Sequence, residues 1–231
     1  MLTKLGEADL AWIAADRGLA AAQHSDNQVV LGSLFRSVAH TLLSTGRFQP
    51  AVQLVGRAAA VLSPGLGTAG GEMLSVYGSL FLAGAMAASR AEDRPTTQAF
   101  LREAEESARR LGRDANYLWT AFGPTNVSIH RVNTAMELGD VQIALDIGPA
   151  LDTSGLPTER RVRHALELAR AYSARNRSDD ALAVVLDAER TAPEQVRHHY
   201  ISRQLVLTWM RQKRGRPGIE LAGLAARLRL T

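Results

Sequence analysis

The chain has 231 residues, no cysteine and a formal net charge of +4, from 27 basic and 23 acidic side chains. Without cysteine there is no disulfide framework, thiol nucleophile or thiolate metal site, and a reducing, cytoplasmic compartment is expected. Only 5% of residues are aromatic within a hydrophobic share of 46%, which disfavours a β-sandwich and suits many close helix crossings.

In chain order, the first predicted helix covers 2–23, with Leu5, Ala8, Trp12, Ala15 and Leu19 on one stripe. Its charges (Lys4, Glu7, Asp9, Asp16 and Arg17) do not fit a signal peptide, and none is expected over these residues. Asp26 is the expected N-cap of a second helix that turns Phe35, Val38, Ala39 and Leu42 inward. Gly46 ends that helix and Pro50 lies in the first turn of the third. The glycine- and proline-rich stretch from Ser63 to Gly71 reads as a loop. A central pair follows over 72–90 and 95–112, joined at Asp93-Arg94-Pro95. Met73 to Ser89 carries no charge but is interrupted by Ser75, Gly78, Ser79 and Gly84, and so reads as a buried helix rather than a membrane span. The next helix begins near Asn116 or Thr125, with Gly123-Pro124 as a break or kink, and runs to Gly139. Helices over 141–152, 158–176, 178–191, 194–213 and 217–229 complete about eleven. No segment alternates in the manner of a strand, so an all-α fold is expected.

Small and apolar residues recur in a repeating frame. Ala165, Leu168, Ala169, Tyr172, Ala181, Val185, Ala188 and Pro193 fit the roughly 34-residue helix–turn–helix repeat of the tetratricopeptide type. Gly46 to Ala51 is followed thirteen residues on by Pro64, and Gly139 to Ala144 likewise by Pro157. Thr97, Leu101 and Ala104 take the corresponding positions of the central pair more loosely. The expected architecture is a right-handed superhelix of stacked antiparallel helical hairpins, one tetratricopeptide-like domain over 1–231.

Five segments carry a family resemblance: Leu10 to Arg17, Leu34 to His40, Thr125 to Val132, Arg161 to Leu166 and Ile201 to Val206. In these the chain resembles the C-terminal sensor half of actinobacterial helix-turn-helix transcriptional regulators of the Cro/repressor-like class. The resemblance implies a domain that senses a ligand or a protein partner and that contacts DNA only through a head absent from these residues. The alternative is a scaffold that recruits a protein without switching. A homodimer is compatible with either.

Counting back from Ala144, the concave face of the array takes Asn126, Ile129, His130, Asn133, Met136 and Glu137. Asn126, His130 and Asn133 project together, and their carboxamides can donate to and accept from a peptide backbone. The other reading of these three is pairing with one another or with a neighbouring helix. The same count places Arg163, Glu167 and Arg170 on a later inner helix and Arg36, Ser37 and His40 on an earlier one. The two later arginines suit a carboxylate or phosphate, unless Glu167 neutralises them. Leu82, Ala83, Met86 and Ser89 form the expected apolar floor. The predicted ligand-binding set is therefore Asn126, His130, Asn133, Arg163, Arg170, Arg36 and His40, for a peptide or small effector.

Catalytic and metal signals are weak. His198 and His199 are adjacent and diverge on a helix, and Glu103, Glu105 and Glu106 form a solvated face. The glycine spacing of Gly65 to Gly70 follows a helix rather than the strand a dinucleotide site needs. No enzyme activity, metal or cofactor is expected. Arg203, Arg211, Lys213, Arg214, Arg216, Arg227 and Arg229 form either an anion-binding patch or a solvated basic face.

Overall fold

The computed structural model describes residues 27–212 and 216–230, together with Leu10, Ile13, Ala14, Arg17, Gly18, Ala20 and Ala21, which are helical. The expected cap Asp26, and most of the helix predicted over 2–23, lie outside the described residues. Between Gln28 and Arg227 the described chain is all-helical, with eleven α-helices and no strand. We number them α1 (Gln28–Ser44), α2 (Phe48–Leu62), α3 (Gly71–Arg90), α4 (Arg94–Leu111), α5 (Pro124–Glu137), α6 (Val141–Ile147), α7 (Thr158–Ala174), α8 (Ser178–Thr191), α9 (Pro193–His198), α10 (Tyr200–Gln212) and α11 (Ile219–Arg227). Asn27 caps α1, its Oδ1 accepting from the backbone N–H groups of Val29 and Val30 at 3.0 and 3.2 Å.

One turn recurs. At Gly46, Glu92, Gly139 and Asn176 the backbone enters the left-handed region, with φ of 74, 59, 81 and 57°. Five residues after each stands a small side chain with at most 1% exposure: Ala51, Thr97, Ala144 and Ala181. The residue after the left-handed position closes the finished helix in three of these turns. The N–H groups of Arg47, Asp93 and Arg177 donate to the carbonyls of Leu42, Ala88 and Tyr172 at 2.9 to 3.0 Å. Their own carbonyls then accept from the N–H groups of Ala51, Thr97 and Ala181, which starts the next helix. Helix end and helix start therefore share one residue, and the small side chain lets the two helices meet closely. Thr97 satisfies its hydroxyl by donating to the Asp93 carbonyl at 2.8 Å.

The chain forms two compact units, Met1–Leu138 and Gly139–Thr231. In the first, α3 is central and packs against α1, α2, α4 and α5. It is long and apolar enough to cross a membrane, yet most of its surface is buried within the protein. Around it Val55, Leu62, Tyr77, Leu80, Phe81, Phe122 and Val127 form a core. The approach of Phe122 requires Gly78, because a Cβ there would stand 1.9 Å from the ring's Cζ. In the second unit α7 packs against α8 and α10, and Leu166, Val185, Ile201, Val206, Trp209 and Leu224 fill the centre.

Two predicted elements differ. The helix expected over 194–213 breaks at His199, whose backbone is extended at φ −76° and ψ 132°. The break buries Val196, and Ser202 Oγ donates to the carbonyls of Val196 and His199. The segment after α4 is not a helix from Asn116. Ala115 bridges back to Phe122, Asn116 Oδ1 accepts from the Ala121 N–H at 3.0 Å, and Leu118, Trp119 and Ala121 all take left-handed backbone.

Candidate functional site

Helix α5 begins at Pro124, behind Gly123, where a Cβ would stand 2.5 Å from Asp114 Cα. The close approach brings Asp114 Oδ1 to the Thr125 N–H at 3.0 Å and sets the start of the helix. One turn on, His130 Nδ1 lies 2.8 Å from the Asn126 carbonyl. A carbonyl only accepts, so Nδ1 carries the hydrogen of this bond. Asn126, His130 and Asn133 share one face and are 1%, 7% and 7% exposed. The side-chain oxygens of Asn126 and Asn133 are buried without a hydrogen-bond donor. Such a group costs about 1–3 kcal/mol. Ser33 Oγ, on α1, is buried and unpaired in the same way.

Arg36 and His40 also lie on α1, one turn apart and half-buried, with Arg36 Nη1 donating to His40 Nε2 at 3.4 Å. The expected apolar floor is not open. Leu82 and Ala83 are 1% and 2% exposed, Ser89 is buried, and only Met86 of the four retains partial exposure. Close packing of α3 against four neighbours covers them.

Arg163 and Arg170 belong to the second unit. Arg170 pairs with the buried carboxylate of Glu167 at 3.0 Å, one turn away. Arg163 makes no ion pair or hydrogen bond among the described residues, and its charge acts on Arg160 and His199. Burial, then the charge of Arg163, pushes His199 below its ordinary pKa, with Glu159 opposing. Burial likewise lowers Arg160, an effect to which Arg163 adds.

None of the seven predicted residues lines either of two clefts in the protein. The larger, about 410 Å³, opens among α2, α3 and α4 over Tyr77, Phe81 and Phe100. There the rings meet edge to face at 4.9 and 5.2 Å, and burial followed by the Glu103 charge raises the Tyr77 phenol. The smaller, about 250 Å³, is lined by Leu182, Trp209, Ile219 and Leu221. Sequence reasoning also missed Trp119, 87% exposed on the left-handed loop before α5. The strand-like bridge that presents it joins residues too close in sequence to leave a periodic signal.

No protein-family model, curated protein or solved structure matches the chain.

Proposed function

We propose that this chain is the sensor part of a transcriptional regulator, a tetratricopeptide-like array of helical hairpins that binds a peptide or small effector on its inner helices. The observation that carries the reading is the pair of buried, donorless oxygens on Asn126 and Asn133, flanking His130 on one helix face. The recurring left-handed turn with its buried small residue supports the array. DNA contact would belong to a head outside these residues, in a cytoplasmic protein.

The ligand must supply N–H donors. Seven helical residues separate the two oxygens, a rise of about 10.5 Å. Same-side N–H groups of an extended peptide recur every two residues, about 6.7 Å, so a ligand that engages both oxygens must present donors spaced more widely than one strand edge offers in succession. Because solvent barely reaches Asn126, the ligand engages a state in which this face has opened. Binding then acts by population shift, favouring the open arrangement over the closed one.

The test uses short peptide pools of five to eight residues, read by native mass spectrometry, against the parent, Asn126→Leu and Asn133→Leu. Each variant should lose binding at least tenfold while its melting temperature holds or rises, because an apolar group of similar size replaces an unpaired acceptor. Variants that bind like the parent would overturn the assignment. Small-angle scattering separates the rival scaffold, whose profile would not change on binding.

A further inference from the structure

We infer that Arg160, Arg163 and His199 form a phosphate-binding site in the second unit, for free phosphate or a small phosphomonoester. Arg160 and Arg163 are one turn apart on α7 and so share a face, both half-buried. Gln195 Nε2, in the middle of α9, donates to the Glu159 carbonyl at 3.1 Å, which seats this short helix against the first turn of α7. His199 follows directly. Its Nδ1 accepts from the Ile201 N–H at 3.3 Å, so the neutral ring carries its hydrogen on Nε2 and offers it as a donor. The extended backbone at His199 splits α9 from α10, and the charges of Arg163 and Glu159 on α7 reach its ring.

Two guanidinium groups meet one carboxylate here: Glu159 is in ion-pair range of Arg160 Nε at 3.9 Å and also acts on His199, which leaves one positive charge in excess. Arg163 has no partner among the described residues, whereas Arg170 on the same helix is neutralised by Glu167. Half-buried cations are stabilised by an anion, and two guanidinium forks with an imidazole N–H supply a donor set suited to phosphate oxygens. Burial first, and then the charge of Arg163, lowers the proton affinity of His199, against an opposing effect of Glu159. Arg161 projects to another side of α7 and serves as the control.

The experiment is isothermal titration calorimetry of the full chain with inorganic phosphate and, separately, glycerol 3-phosphate, with sodium acetate as the reference salt. Saturable binding of phosphate or the monoester is expected, weakened at least tenfold in Arg163→Gln and Arg160→Gln and unchanged in Arg161→Gln. Tighter binding of the monoester identifies an organic phosphate, and tighter binding of inorganic phosphate the free ion. Arg163→Lys keeps the charge without the fork and should retain part of the affinity, which separates loss of the site from loss of the fold. The proposal is overturned by absence of saturable binding to both phosphates, by Arg163→Gln binding like the parent, or by binding of a DNA duplex without either phosphate. None of these outcomes bears on Asn126 and Asn133, which lie in the other unit.

Discussion

Gly78→Ala tests the packing at the centre of the first unit. In most helix interiors this exchange stabilises by about 1 kcal/mol, because alanine loses less backbone entropy. Here the new methyl would meet three atoms of the Phe122 ring at 1.9, 2.5 and 2.6 Å. Ordinary carbon contact is about 3.5–4.0 Å, so ring or helix must retreat by roughly 1.5 Å or more. Phe122 is fully buried and α3 is packed on four sides, which leaves little room to do so. Overpacking costs of about 1–3 kcal/mol apply at their upper end, and less the propensity gain the net loss is about 2 kcal/mol. For a chain of this size that lowers the melting temperature by about 4–8 °C. Gly56→Ala provides the opposite sign. That glycine is exposed on α2 with nothing within 4 Å of its would-be Cβ, so the variant should gain about 0.5–1 kcal/mol. Thermal and urea unfolding followed by circular dichroism reads both, and Gly78→Ala with Phe122→Leu should recover most of the loss. A Gly78→Ala protein melting at or above the parent would refute the close approach of Phe122.

Two further predictions concern acid stability. The Glu189 carboxylate is buried and receives both Arg227 donors at 2.8 and 2.7 Å, which holds its pKa below the ordinary 4.5. A depressed carboxylate stabilises above the unfolded value and loses that contribution as pH falls through the folded one. Glu189→Gln should therefore cost about 1–2 kcal/mol at pH 7 and lose less than the parent on acidification below pH 4.5, as read by urea unfolding from pH 7 to 3. His164 is buried, donates from Nε2 to the Gly148 carbonyl at 3.1 Å, and is pushed below its ordinary 6.5 by that burial. The folded state binds this proton less readily than the unfolded state, so stability is unaffected above pH 6.5 and declines below it. His164→Gln should flatten the decline between pH 6.5 and 5 in the same assay, and an unchanged slope would count against it.

The all-helical character and several helix junctions were legible because they depend on local pattern. Ala51, Ala144 and Ala181 are fully buried where glycine and alanine spacing placed them, and Gly46 and Gly139 adopt the left-handed turns that glycine favours. Glu92 and Asn176 make the same turn without a glycine: asparagine tolerates the left-handed region, whereas at Glu92 neighbouring hydrogen bonds impose what the residue type does not favour. The candidate sites depended on tertiary structure for the same reason. Helical spacing brings Asn126, His130 and Asn133 to one face, but only neighbouring helices determine that they are buried and that two of their oxygens lack donors. Spacing joined Arg163 to Arg170. The same spacing offered Glu167 as a neutralising partner, and Glu167 does pair with Arg170; the break at His199 then sets Arg163 beside an imidazole 36 residues away in sequence. Periodicity records which side of its own helix a residue faces; what stands opposite is determined by elements distant in the chain.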